Sequence, residues 1–206
     1  MGDENETLLS EEEQSLLLQI ARDSLERYAR EKERVDVNDY PLTPSLKQAC
    51  GAFVTLRKHG HLRGCIGYTK SKVSMAQTVA ENAVNAGFSD PRFSPVEPAE
   101  LDDIVIEISA LLPGETPGSP FVRVRDVSEI RIGRDGLYLE HAGARGGGLL
   151  LPQVPVEQGW DLDAYLRGVC MKAGASADAW REPTSTLYRF RAQVFGEQTG
   201  ESDTAH

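Results

Sequence analysis

The sequence predicts an α+β fold, on three observations. Ser10 followed three residues later by Glu13 opens a run in which Leu16, Leu17, Ile20, Ala21, Ser24, Leu25, Tyr28 and Ala29 recur at helical spacing. Residues 104–112 alternate instead, so that Ile104, Ile106, Ile108 and Ala110 share one face while Glu107 and Ser109 share the other. Helices and strands follow one another with no regular βαβ rhythm, which argues against a doubly wound parallel sheet.

Taken in order, the first helix is expected over residues 10–33, with Ser10 and Glu13 as its capping box. Pro41 and Pro44 break the chain, and Gly51 to Lys58 reads as a strand. A second strand, Leu62 to Tyr68, follows the turn at Gly60. From Val73 to Ala86 the small residues Ala76, Ala80 and Ala83, with Val84, form a narrow helical face that can pack close to a sheet, with Gly87 expected as its C′ residue. After the strand at 104–112, Pro113 to Pro120 is a loop. Ile130 to Gly133 and Leu137 to Glu140 read as a hairpin, because Asp135-Gly136 supplies the positive φ angles of a type I′ turn. Gly143 to Gly148 is expected to be a flexible loop, and Leu149 to Leu151 a short strand. Asp161 then caps a helix whose apolar stripe is Leu162, Tyr165, Leu166, Val169, Cys170 and Ala173, and Leu187 to Phe195 alternates as a last strand.

The chain has 206 residues, with 22 Lys and Arg against 32 Asp and Glu, giving a formal charge of −10. Six of the excess acids lie in residues 1–13 and three more in residues 197–206, so the body between them is nearly neutral. Nucleic-acid binding therefore receives no electrostatic support. Apolar runs such as Leu16 to Leu18 fall far short of the ~18 residues of a membrane span, and the first residues resemble no signal peptide, so a cytoplasmic address is expected. Cys50, Cys65 and Cys170 are odd in number and widely spaced, which points to free thiols rather than disulfides or structural zinc. No metal or other cofactor is implied. Residues 1–9 and 199–206 are acidic and polar, without periodicity, and are expected to be dispensable tails around a single domain at 10–198.

The segment that least resembles scaffolding is His61-Leu62-Arg63-Gly64-Cys65-Ile66-Gly67. In an extended chain His61, Arg63 and Cys65 point one way, and a neighbouring cation favours a thiolate, as a nucleophile requires. The plainer reading makes Cys65 a small packed hydrophobe. His59-x-His61-x-x-x-Cys65 has the look of a metal site, but both histidines lie beside a predicted turn. Arg92, after the turn residues Asp90-Pro91, is suited to clamping an anion or to a solvated ion pair, and Gln153 is held between Pro152 and Pro155. Glu107 and Ser109 project together, either into a site or onto the wet face of a sheet.

Leu62-Arg63-Gly64-Cys65-Ile66-Gly67, Asp90-Pro91-Arg92-Phe93, Glu100-Leu101, Ile106-Glu107-Ile108-Ser109, Gly133-Arg134-Asp135-Gly136-Leu137, Leu150-Leu151-Pro152-Gln153-Val154 and Cys170-x-Lys172-Ala173-Gly174 follow one another in this order. The set resembles the AMMECR domain family. The resemblance implies a compact two-lobed α+β domain with a barrel-like, mixed or antiparallel sheet flanked by helices, and a cleft near Arg63-Gly64-Cys65. It also implies a place as a component of the AmmeMemoRadiSam system, beside a Memo-like protein and a radical S-adenosylmethionine enzyme, although no reaction is attached to the domain itself.

Two readings follow. In the first, the domain is an enzyme component in which Cys65 is a nucleophile or carrier thiol, Glu107 an acid or base, and Arg63 and Arg92 hold an anionic group, with Asp90, Ser109 and Gln153 also in the binding set. On this reading Cys65 should alkylate faster than Cys170, with a pKa below that of a free cysteine. In the second, the domain is a non-catalytic binding or scaffold module, and Cys65 is a packing residue.

Overall fold

The computed structural model describes residues 9–116, 119–142 and 147–198. The expected tails, apart from Leu9, and residues 143–146 of the glycine-rich loop lie outside them. The chain divides into two units, residues 1–110 with 193–206, and residues 111–192. The fold is α+β, and its strands pair antiparallel within each unit.

In the first unit, helix α1 (Glu11–Glu31) begins with the capping box: the Glu13 N–H donates to Ser10 Oγ and the Ser10 N–H to the Glu13 carboxylate. Its buried stripe is Leu17, Ile20, Ala21, Ser24, Leu25 and Ala29, six of the eight positions that the spacing picks out, with Leu16 and Tyr28 only partly buried at its margins. Strands β1 (Ala52–Lys58) and β2 (His61–Tyr68) form a hairpin through His59 and Gly60, both at positive φ. Helix α2 (Met75–Phe88) is capped by Ser74, and strand β3 (Ile104–Leu111) pairs with the other edge of β1. Val54, Leu56, Ile106 and Ile108 are fully buried in one core with α1 and α2. Gly87 corrects the sequence reading. It lies inside α2 rather than past its end, and a Cβ there would come within 2.7 Å of the Leu25 side chain, so this glycine serves helix packing.

The unit's edges are tied down by two residues near the ends of the described chain, Leu9 from the expected N-terminal tail and Glu197 from the expected domain. Leu9 is buried, with its N–H donating to the Gln193 side-chain oxygen at 2.8 Å. Glu197, counted with the C-terminal acids, accepts the Ile106 N–H at 2.8 Å and the Arg22 Nε–H at 2.9 Å, while Arg22 also donates to the Leu101 and Ile104 carbonyls. It is a structural carboxylate.

The second unit holds strands β4 (Val122–Arg123), β5 (Asp135–His141) and β6 (Gly148–Leu150), helices α3 (Gln153–Glu157) and α4 (Leu162–Lys172), and most of strand β7 (Ser185–Gly196). Strand β5 lies between β6 and β7, and β4 pairs with β7. Asp161 caps α4 by accepting the Ala164 N–H at 2.8 Å, and Tyr165, Leu166, Val169 and Cys170 bury against Leu137, Leu139 and Leu187. The predicted hairpin at Asp135-Gly136 does not form. Both residues open β5, the preceding turn uses Gly133 at φ +82°, and Gly136 is there because the Phe190 ring would lie 2.3 Å from any Cβ. Gln153 begins a five-residue helix that proline bracketing did not foretell. No helix among the described residues is long and apolar enough to cross a membrane.

Candidate functional site

Strand alternation puts Val54, Leu56, Ile106 and Ile108 toward the helices, so Thr55 and Glu107 occupy the other face of the first unit's sheet. Cys65 stands opposite Thr55 in register, and Thr55 stands opposite Glu107. Cys65, Thr55 and Glu107 thus form a row across three strands, about 10 Å from end to end at the strand spacing. Thr55 is 5% exposed, and its Oγ1 lies 3.4 Å from Cys65 Sγ in a hydrogen bond. Ser109, on the Glu107 face, is buried opposite Phe53.

Two glycines set this row in place. A Cβ on Gly64 would lie 2.1 Å from the Ala86 carbonyl oxygen, so only glycine lets β2 lie directly on the backbone of α2. On the other face, the Phe53 ring lies across Gly67, 2.2 Å from where a Cβ would be. Cys65 sits between these two close approaches.

The outer edge of β2 is closed by side chains. Asp90 accepts the Cys65 N–H at 2.9 Å and forms a two-pronged pair with Arg92, whose Nε and Nη2 donate at 2.9 and 2.7 Å. Arg92 Nη2 reaches back to the Cys65 carbonyl at 3.4 Å. The Asp90 side chain is 2% exposed, and the Arg92 hydrogen bonds hold its carboxyl well below the usual carboxylate range, against the opposing effect of burial. Asp90 therefore does for the Cys65 N–H what a further strand would do.

Arg63 departs from the geometry expected of an extended strand. Leu56 pairs with Gly64 and Arg57 with Leu62, so Arg63 is the extra residue of a β-bulge and the alternation breaks there. Its guanidinium grips Glu100 in the 3₁₀ turn Pro98–Asp103, at 3.1 and 2.9 Å, and also donates to the Ser94 and Pro95 carbonyls. The Arg63 pair brings the Glu100 carboxyl down to about 2. Arg63 is thus neutralised by Glu100, a motif residue to which sequence reasoning assigned no partner.

The consequence for the thiol is a correction. Burial pushes the Cys65 thiol up, the Thr55 hydrogen bond and the Arg92 charge pull it down by less, and Asp90 and Glu107 push it up again. Cys65 is held as a neutral thiol near pH 7, not as a thiolate. Burial raises Cys170 as well, and Cys170 is fully buried in the second unit whereas Cys65 is partly exposed.

Of the sequence-predicted residues, the structure brings together Cys65, Asp90 and Arg92 by direct bonds and aligns Glu107 with Cys65 through Thr55. Gln153 belongs to the second unit, on α3. Thr55 escaped sequence reasoning, although a threonine in the alternating run of β1 was the available signal. His59 is exposed beside the hairpin turn, and among the described residues no group of three His, Cys, Asp or Glu is placed to hold a metal ion.

The AMMECR1 family model matches residues 18–195, which takes in both units. The chain belongs to the AMMECR1 family. A protein of Methanothermobacter thermautotrophicus is 44% identical over 189 residues, covering 92% of this chain and 96% of that one. A protein of Methanocaldococcus jannaschii is 41% identical over 196 residues, covering 92% of each. The crystal structure of an uncharacterized protein from Pyrococcus horikoshii superposes with a TM-score of 0.80 at 33% identity, covering 88% of this AMMECR1-family chain and 90% of that one.

Proposed function

We propose that this AMMECR1-family domain is the component of an enzymatic modification system whose working group is Cys65, acting with a Memo-like protein and a radical S-adenosylmethionine enzyme. The observation that carries this reading is the row Cys65, Thr55, Glu107 on one sheet face, with the strand edge behind it fastened by Asp90 and Arg92. A neutral thiol needs a base, and the arginines cannot supply one. Glu107 can: the Thr55 hydroxyl, which donates to Cys65 Sγ in the structure, turns to the Glu107 carboxylate and gives it a proton while Oγ1 takes the Cys65 proton; the sulfur then adds to an electrophilic carbon of an unsaturated group, whose displaced π-electron pair takes the proton back from Glu107. Thr55 then holds the sulfur by a hydrogen bond while the adduct is carried. Asp90 and Arg92 act as positioning residues, because they hold the Cys65 backbone and not its sulfur.

The test is to co-express the chain anaerobically with both partner proteins and determine the mass of the peptide containing Cys65. An adduct on Cys65 that requires both partners, is absent in C65S, and falls at least tenfold in E107Q is the expected result. Unmodified Cys65 under all conditions, with the three proteins still co-purifying, would leave the domain a binding module.

A further inference from the structure

We propose that Arg92 and the Gly67 N–H form an oxyanion site beside Cys65, so that the group to which the sulfur adds is an α,β-unsaturated carbonyl whose oxygen they hold. This deepens the proposed function and rests on its reading of Cys65 as the working thiol. Only part of the Arg92 guanidinium is engaged by the protein. Nε and Nη2 bond the Asp90 carboxylate, and Nη2 also reaches the Cys65 carbonyl. The guanidinium is a planar fork, so the end that Nη2 shares with Nη1 is turned toward strand β2. Among the described residues, none accepts a hydrogen bond from Nη1. The Phe93 ring supports the guanidinium from its face, with its centroid 5.5 Å from the central carbon.

The second donor follows from strand periodicity. The Cys65 N–H and carbonyl both point away from β1, to Asp90 and Arg92. Two residues on, the Gly67 N–H points the same way, next along the edge after the carbonyl that Arg92 reaches. Gly67 is partly exposed, and no described residue accepts this N–H. Arg63 cannot serve, because Glu100 already holds its fork.

Charge decides when these donors act. In the Asp90–Arg92 pair the carboxylate is buried and the guanidinium faces solvent, so an incoming group meets the positive end. The Arg92 charge also acts on the thiol, pulling its pKa down. A ligand that is already anionic meets the carboxylates of Glu107 and Asp90 in the resting site. A neutral acceptor becomes anionic only on addition, when Glu107 has taken the thiol proton and is itself neutral. The donors then favour the transition state over the ground state. Sulfur bonds to the β-carbon, the C=C π pair moves into the carbonyl, and the enolate oxygen lies between Arg92 Nη1 and the Gly67 N–H. The α-carbon then takes the proton from Glu107 as the carbonyl re-forms. The sum is addition of S–H across C=C, with neither oxidant nor reductant.

The experiment uses acrylamide as the probe and iodoacetamide as the control, since iodoacetamide alkylates sulfur by displacing iodide and puts no charge on its carbonyl oxygen. Rates at Cys65 in the full chain at pH 7 are read by peptide mass spectrometry, and the ratio of acrylamide to iodoacetamide rates cancels changes in the thiol's own ionisation. This ratio is expected to be at least tenfold higher in the folded chain than in the urea-unfolded chain. R92K, which keeps a cation for Asp90 but has no Nη1, should lower the folded ratio at least tenfold. The comparison of folded with unfolded chain needs no variant, so it stands even where R92K does not fold. A folded ratio equal to the unfolded one, or a wild-type ratio in folded R92K, would overturn the oxyanion site and leave Cys65 as the working thiol. Labelling of Cys65 no faster than Cys170 by either reagent would overturn both.

Discussion

Replacing Gly64 with alanine is expected to destabilise the protein by about 3 kcal/mol, the upper end for overpacking, and to lower Tm by about 6–12 °C. The reason is what the new methyl group meets. Its Cβ would stand 2.1 Å from the Ala86 carbonyl oxygen and 3.0 Å from the Ala86 carbonyl carbon, and both belong to helix backbone that no rotamer change can move aside. Relief requires α2 to lift away from β2, yet α2 is held from its other side by the Leu25 side chain of α1 packed on Gly87. Thermal unfolding followed by circular dichroism measures the effect. A loss below about 1 kcal/mol would mean that the helix can shift cheaply and that Gly64 does not set the position of Cys65.

Asp90→Asn is expected to cost about 2–4 kcal/mol at pH 7. Breaking one side of a buried ion pair costs ~3–5 kcal/mol, and the discount reflects Arg92, whose side chain is 53% exposed and can turn to water. The dependence on pH has a definite sign. The Asp90 carboxyl is held below its ordinary 3.8, so its contribution is fully present above that pH and is lost as pH falls toward the folded-state value. Denaturant unfolding from pH 7 to 2.5 should show a constant gap between wild type and D90N above about pH 4, closing below it. A gap that widens on acidification would contradict the assignment.

What the sequence made legible was local. The capping box of α1, the Asp161 cap of α4 and the alternation of β3 are decided within a few residues, and each appears where the spacing places it. The errors arise where a distant residue decides. Asp135-Gly136 carries every mark of a turn, but Asp135 is claimed by Arg189 and Arg191 more than fifty residues away, and Gly136 by the Phe190 ring. Gly87 reads as a helix stop until α1 is packed against it. The candidate site divides in the same way. Cys65, Asp90, Arg92 and Glu107 were visible as residues, but the bulge that turns Arg63 toward Glu100, and the register that puts Thr55 between Cys65 and Glu107, belong to strand pairing. Burial of Cys65, with Arg63 turned away to Glu100, reverses the expected state of the thiol.

Central to the proposed function is a neutral Cys65 thiol whose base is Glu107, acting through Thr55. The rate of iodoacetamide labelling of Cys65, resolved by peptide mass spectrometry in the folded protein from pH 6 to 10, tests this in wild type and E107Q. Cys65 should label faster than the fully buried Cys170, with a midpoint above the ~8.5 of a free cysteine. Below that midpoint, two effects of E107Q have opposite signs. Removing a negative charge lowers the thiol's pKa and speeds labelling, whereas removing the base slows it. With Glu107 as the base, E107Q is expected to label Cys65 at least tenfold more slowly at pH 7. Labelling as fast as wild type, or faster, would contradict that role and reduce Glu107 to a charge beside a packed sulfur.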